Sequence, residues 1–358
     1  MTNQNRQKII VKIGTNVITR DDGMLNEDIM EHIAFQIAEL KKKNFDIVIV
    51  SSGAMAAGRT YAPAYCRRNK IIHRQLLAAI GQVELMSSYS RIFDDFGSVV
   101  AQVLSTKEDF RSRSHYLNMK NCFEALLEDH VIPIVNENDV VSVTELMFTD
   151  NDELAGMIAS MLDVNTVILL TSVDGLYDGK PDDPNSKIIK EIDPQKQGCE
   201  KYVQKSKSQF GVGGMLTKCR IAKTLSSVGI ETYIANGQSE NVLMDIMDGK
   251  GTGTRFIPQK NVSIVKKWVA FSKGYEKGSI YVNKGARDAL KAKVSSVLPV
   301  GVIKIDGVFE KGDIIKVLSE DGNFLGLGKS EYSSEEGQKI IGKHDEKPFI
   351  HYDYLFIY

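Results

Sequence analysis

Three hundred and fifty-eight residues, 42% hydrophobic and 25% charged, exclude general disorder and suffice for a packed core without disulfide or metal support. At roughly 150 residues per domain, the length implies about two domains. Lys and Arg number 45 against 46 Asp and Glu, a formal charge of −1 that excludes a whole-chain basic footprint for nucleic acid.

The first seven residues are polar and lack a signal-peptide apolar core. Residues 8–14 (KIIVKIG) form a short β-branched run stopped by glycine, a predicted buried strand. Asn26 then precedes Ile29, Ile33, Ile37 and Leu40, one stripe of a helix that Asn26 would N-cap. A second strand is predicted over 45–50 (FDIVIV), followed by helical sequence, notably over 73–93. A third strand is expected over 99–104, a helix capped by Ser114 and running to about 129, and a fourth strand over 131–135 (VIPIV). Helical sequence resumes over 152–162, a fifth strand over 167–170, a helix over 215–228 and a last strand over 231–235. Alternating strands and helices, with near-continuous apolar strands, predict an α/β fold with a parallel sheet covered on both faces.

After about residue 260 glycine becomes frequent and segments shorten, with strands expected over 278–282, 301–305, 313–317 and 324–327 and a helix near 286–293. The expected organisation is a first domain over 1–260, a linker over 261–273 and a small β-rich domain over 274–358. No apolar run approaches the ~20 residues of a membrane span, so a cytoplasmic protein is expected. Cys66, Cys122, Cys199 and Cys219 are far apart and make no C-x-x-C pair, so they read as buried or incidental reduced thiols.

In open parallel sheets, ligands bind beyond the carboxyl ends of the strands. Polar clusters stand at those predicted ends: Lys12-Ile-Gly14-Thr15, Ser51-Ser52-Gly53-Ala54, Asn136-Glu-Asn138-Asp139 and Thr171-Ser172. Each alone reads equally as a turn or cap. Lys12 lies inside an apolar strand just before a glycine, which lets a phosphate approach the backbone while the lysine supplies mobile charge. Gly211-Val-Gly213-Gly214-Met215-Leu216-Thr217-Lys218 is glycine-rich, opens a helix and carries a lysine. Its spacing is not that of a Walker A loop, and no G-x-G-x-x-G follows the first strand, against a dinucleotide-binding dehydrogenase. Asp150-Asn151-Asp152 reads as a capping turn, or as a run that holds a substrate ammonium or orients a lysine. No hydrolytic triad and no HExxH occur. Two lysines, two glycine-containing loops and acidic and amide clusters suit phosphoryl transfer by positioning and charge neutralisation.

VKIGT (11–15), VSSGAMAAG (50–58), QLLAAIGQ (75–82), NENDVV (136–141), DND (150–152) and GVGGMLTK (211–218) occur in an order that resembles the glutamate 5-kinase family of the amino acid kinase superfamily. The tail, with GSIYV (278–282), Gly285-Ala286, SVLPVG (296–301) and Gly312-Asp313, resembles a PUA domain. The resemblance implies an amino acid kinase-like αβα sandwich with a mainly parallel central sheet, plus a small β-rich PUA-like C-terminal domain. It implies transfer of phosphate from ATP, with Mg²⁺ carried by the ATP phosphates and no direct protein ligand, to the γ-carboxylate of L-glutamate.

Carried over by matched motif, Lys12, Lys218 and Asp152 take catalytic roles. Ser52, Gly53, Ala54, Asn136, Asp139 and Asn151 hold glutamate, with Asp139 suited to its ammonium. Lys12, Gly14, Thr15, Thr171, Ser172, Gly213, Gly214, Met215, Leu216, Thr217 and Lys218 border the nucleotide. Ser172 stands where several relatives carry aspartate, and 61–72 departs from the family's form. The resemblance further implies proline biosynthesis, feedback inhibition by proline near Glu145 in a covering segment at 144–149, a homo-oligomer (dimer or tetramer) and glutamyl phosphate reductase as a partner. Acetylglutamate, aspartate and isopentenyl phosphate kinases share the two-lysine logic and remain alternatives. An RNA-binding PUA protein is a further one, but 274–358 holds twelve Lys and Arg against thirteen Asp and Glu, giving no net charge for phosphate neutralisation. Neither nucleic acid nor membrane is expected as a partner.

Overall fold

A computed structural model describes residues 6–61, 69–111, 113–142, 150–181, 183–196, 198–199, 202, 212–292 and 295–358. The chain divides into two compact units, Met1–Asn261 and Val262–Tyr358.

The first unit begins with β1 (Lys8–Ile13), α1 (Glu27–Lys42), β2 (Asp46–Ser51), α2 (Ala54–Tyr61) and α3 (Lys70–Asp95). It continues with β3 (Val100–Ser105), α4 (Lys107–Arg111), α5 (Arg113–Glu128), β4 (Ile132–Glu137), α6 (Asn151–Leu162) and β5 (Thr166–Thr171). It closes with β6 (Glu191–Ile192), α7 (Val212–Ser227), β7 (Glu231–Asn236), α8 (Val242–Met247) and β8 (Thr254–Phe256). The eight strands form one sheet in the order β3-β4-β2-β1-β5-β7-β8-β6. Every neighbouring pair is parallel except β7 with β8. The αβα reading therefore holds, with two departures. The strand at 231–236 is not the last, since β8 follows it. Ser114 lies inside α5 rather than capping it, and α4 just before is a separate short helix.

Chain order explains why the ligand end lies near the middle of the sheet. After β1 the chain builds β2, β3 and β4 to one side, then returns to place β5 on the other side of β1. Such a reversal leaves a crevice at the strands' carboxyl ends. Ile9, Val11 and Ile13 pack into the core shared with α1, α3 and α8. Alternation along a strand then turns Ile10 and Lys12 to the opposite face, where α6 contacts β1. The predicted Asn26 cap is observed, its side chain accepting from Ile29 N at 3.4 Å.

α2 and α3 approach so closely that a side chain cannot intervene. A Cβ at Gly81 would collide with the backbone of Ala54 and Gly58, and one at Gly58 with the backbone of Leu77. This contact seats the first turn of α2, and with it Ala54, at the end of β2. Gly53, between β2 and α2, has φ +108°, a conformation that glycine adopts without Cβ strain.

The second unit comprises α9 (Ile264–Ala270), β9 (Gly278–Val282), α10 (Lys284–Ala292), β10 (Val302–Gly307), β11 (Ile314–Ser319), β12 (Phe324–Lys329), α11 (Ser334–Ile340) and β13 (Leu355–Ile357). Its sheet runs β10-β9-β11-β12-β13, parallel only between β9 and β11. Ile280, Val282, Val302, Phe309, Ile315, Val317, Phe349 and Ile350 fill its own core. The stretch expected as a linker contains α9, which packs on β12 and β13, and Ala270 O accepts from the Tyr358 hydroxyl at 2.6 Å.

Cys122 is exposed, while Cys199 and Cys219 are buried; Cys66 lies outside the described residues. Among the described residues no helix is long and apolar enough to cross a membrane.

Candidate active site

Four strand ends converge. Ser52 N donates to Ile13 O at 3.1 Å, joining the ends of β1 and β2. Lys12 pairs in register with Leu169 of β5, which brings Gly14 beside Thr171. A Cβ on Gly14 would stand 3.3 Å from Leu170 O and 3.7 Å from Lys12 Nζ. Beyond Gly14 the chain turns tightly, Val17 N donating to Gly14 O at 3.0 Å and Ile18 N to Thr15 O at 3.1 Å. Thr15 and Ser172 are exposed, and Thr171 is half-buried.

At the centre, one carboxylate joins two lysines. Asp152 Oδ1 lies 2.6 Å from Lys12 Nζ, and Asp152 Oδ2 lies 2.7 Å from Lys218 Nζ. Asp152 is 0% exposed, Lys12 4% and Lys218 9%. The three come from β1, α6 and α7, and α6 packs directly on α7. α6 is buried almost all round, which its continuous apolar sequence requires. Its N-cap is Asp150, whose Oδ1 accepts from Asp152 N at 2.9 Å and Glu153 N at 3.3 Å. The capping reading of the acidic run thus belongs to Asp150, and Asp152 is left to bridge the lysines.

The electrostatics follow from this geometry. Burial alone would raise the Asp152 carboxyl, but the ammonium groups of Lys12 and Lys218 hold it below the usual carboxylate range. Burial lowers the Lys12 ammonium, against the opposing pull of Asp152. Burial and the neighbouring Asp152 charge raise the Asp150 carboxyl.

Beside this centre is a cavity of about 290 Å³ lined by Thr15, Ser52, Gly53, Ala54, Arg59, Arg74, Asn136, Asp139, Asp150 and Asn151, among others. Asn151 Nδ2 lies 3.0 Å from Ser51 O, 2.9 Å from Ser52 Oγ and 2.9 Å from Asn136 Oδ1. Asn136 Nδ2 donates to Gln82 Oε1 at 2.9 Å. Ser51 Oγ donates to Ser52 O at 2.9 Å and faces Tyr89 Oη at 2.8 Å, so the tyrosine supplies the proton of that second bond. Burial pushes the Tyr89 phenol well above its ordinary value, which keeps that proton in place. Asp139 Oδ1 accepts from Arg74 Nη2 at 2.9 Å.

All six residues expected to hold glutamate line this one cavity. Gly213, Gly214, Met215, Leu216, Thr217 and Lys218 lie in the first two turns of α7, which begins at Val212. The glycine pair is therefore helical, not part of a loop; Gly211 and the segment before it lie outside the described residues, as does Glu145 with 143–149. Arg59, Arg74, Gln82 and Tyr89 were not singled out from the sequence. The quoted stretches contained Gln82 and adjoined Arg59 and Arg74, but nothing local marks a helix residue as facing a cavity, as Arg59 and Arg74 do, or as bonding the strand ends beside it, as Gln82 and Tyr89 do. Among the described residues, no group of three or more His, Cys, Asp or Glu is placed to hold a metal ion.

Residues 7–236 match the amino acid kinase family and residues 278–349 the PUA domain. A glutamate 5-kinase of Bacteroides thetaiotaomicron is 47% identical over 358 residues, 99% of each chain. A glutamate 5-kinase of Chlorobaculum tepidum is 46% identical over 353 residues, 98% of this chain and 97% of that one. A solved structure, carbamate kinase from Giardia lamblia bound to AMP-PNP, is 18% identical with a TM-score of 0.54, over 71% of this chain and 99% of that one. At that identity the likeness shows the fold alone.

Proposed function

The chain belongs to the amino acid kinase family and, within it, to the glutamate 5-kinases, and we propose from that membership that Lys12, Lys218 and Asp152 carry phosphoryl transfer from ATP to the γ-carboxylate of L-glutamate. The observation that carries this reading is the buried bridge of one carboxylate to two lysines at the sheet's carboxyl edge.

A glutamate side chain, with a pKa of about 4.3, is already an anion at neutral pH and needs no general base. Its difficulty is approaching a polyanion. At about 4 Å, two like unit charges repel by ~4 kcal/mol at an effective dielectric of 20. Two ammonium groups against one carboxylate leave positive charge at the centre to offset that repulsion and to stabilise the transferring phosphoryl group. Asp152 holds both lysines, so little reorganisation is needed when charge moves. Ser52, Asn136 and Asn151 supply amide and hydroxyl groups to the substrate, and Asp139 an anion for its ammonium. Gly14, Thr15, Thr171, Ser172 and the first turns of α7 border the nucleotide.

Mg²⁺ usually binds through substrate phosphates, water and one or two carboxylates. That habit fits a site whose central carboxylate is engaged by lysines. The ion would arrive on ATP, with Asp150 a neighbouring carboxylate that does not bridge the lysines, and would supply charge neutralisation of the phosphates. The same reading extends to a cytoplasmic homo-oligomer in proline biosynthesis, feeding its acyl phosphate to a glutamyl phosphate reductase. Proline would inhibit through the segment containing Glu145.

The test is a panel with ATP, hydroxylamine and either glutamate, N-acetylglutamate or aspartate, with and without proline. Hydroxamate from glutamate alone is expected, with proline inhibition blunted in Glu145→Ala. Preference for N-acetylglutamate or aspartate would overturn the substrate assignment, and unchanged inhibition in Glu145→Ala the regulatory one.

A further inference from the structure

Arg74 projects from the first turns of α3, and Asp139 follows the end of β4. Arg74 Nη2 donates to Asp139 Oδ1 at 2.9 Å, and both residues line the cavity beside the catalytic centre. The two elements are clasped at this point, since Gln75 Nε2 donates to Val140 O at 2.7 Å. The Asp139 side chain is 12% exposed and that of Arg74 42%. The cavity wall thus presents a cation and an anion side by side.

An α-amino acid presents the same two charges on one carbon. A guanidinium has five N–H donors in a fixed fork, so it can serve more than one acceptor at once. A carboxylate likewise accepts several hydrogen bonds. An ion pair of this kind can therefore take a zwitterion head to tail without first separating.

We propose that Arg74 is a specificity-determining residue, binding the α-carboxylate of the substrate while Asp139 takes its ammonium. The proposal rests on the reading of this cavity as the glutamate site. The pair is already formed, so binding leaves no charge unpaired and less must be ordered on association. Planar bidentate recognition of a carboxylate suits arginine better than lysine. The zwitterionic end is then held at the Arg74–Asp139 wall, and the far carboxylate is left to face Asn151 and the lysine pair.

The experiment pairs removal of the side chain with removal of the substrate group. The analogue is isoglutamine, which keeps the ammonium and the γ-carboxylate but carries an uncharged amide in place of the α-carboxylate. Hydroxamate formation is measured for wild type, Arg74→Met and Arg74→Lys, with KM for ATP and the melting temperature as controls. Wild type should use isoglutamine about 10–100-fold less efficiently than glutamate, the usual effect of one charged hydrogen-bonded contact. Arg74→Met should lose about the same factor with glutamate and almost none with isoglutamine, so the preference collapses. Arg74→Lys, which keeps the charge without the fork, should fall between them.

Equal losses of both substrates in Arg74→Met would mean that Arg74 only steadies Asp139, and would overturn the proposal. An unchanged preference in Arg74→Met would overturn it too. A wild type that failed to use glutamate at all would instead overturn the underlying reading of the site.

Discussion

Asp152 bears the most consequence of any single side chain. It is fully buried, and each of its oxygens faces a different lysine. Removing one partner of a buried ion pair usually costs about 3–5 kcal/mol, because a buried charge is left unmatched. Asp152→Asn leaves two such charges, so urea unfolding should show a loss of at least that order. Lys12→Ala and Lys218→Ala should instead stay folded and lose about 10²–10³-fold in kcat, the scale of one lost transition-state contact. Wild-type turnover in either would overturn the two-lysine mechanism. The pH dependence has two signs. The Asp152 carboxyl lies below its ordinary value, so its stabilisation is full above the unfolded pKa of about 3.9 and is lost as pH falls through the lower folded value. The Lys12 ammonium is lowered from 10.5, so kcat should fall along an alkaline limb centred below that value.

Among the elements, the crossing of α2 and α3 decides where the cavity wall stands. Gly58 and Gly81 remove the side chains that would otherwise separate the two helices. Overpacking typically costs about 1–3 kcal/mol, and Gly81→Ala belongs at the upper end because backbone, not a movable side chain, stands in the way. The variant should melt lower and show a raised KM for glutamate, since Ala54 at the start of α2 lines the cavity. An unchanged KM with a lowered melting temperature would separate the packing role from the site. α6 and α7 matter differently: they meet face to face, so residues 66 positions apart share one hydrogen bond between Lys218 and Asp152.

At the scale of the whole molecule, every residue given a catalytic, substrate or nucleotide role lies between Lys12 and Lys218, within the first unit. The second unit has its own sheet and its own core, and domains with separate cores can in principle fold alone. A chain ending at Asn261 should therefore remain folded and retain most of its glutamate-dependent hydroxamate formation. Loss of folding or of turnover in that shorter chain would show that the kinase unit depends on the tail.

Much of this was legible before any coordinates. Apolar runs of strand length, punctuated by glycine and alternating with helical stripes, specify the parallel sheet because burial on both faces permits little else. Polar clusters at predicted strand ends were legible for the same reason, since strand direction places them on one edge. Position 114 misled because serine can cap a helix or sit within it, and only the chain's path chooses. The helix expected from 215 starts at Val212 and takes in Gly213 and Gly214, a start that sequence misplaces because glycine usually weakens a helix. Sequence by itself thus determined the α/β class, the β-rich tail and the residues from which a phosphoryl-transfer site could be made. Tertiary structure alone decided which carboxylate joins the two lysines, and that Arg74 faces Asp139 across the cavity. Those contacts join residues 65 to 140 positions apart, and their energy depends on burial and on distances of a few ångströms, which no local pattern encodes.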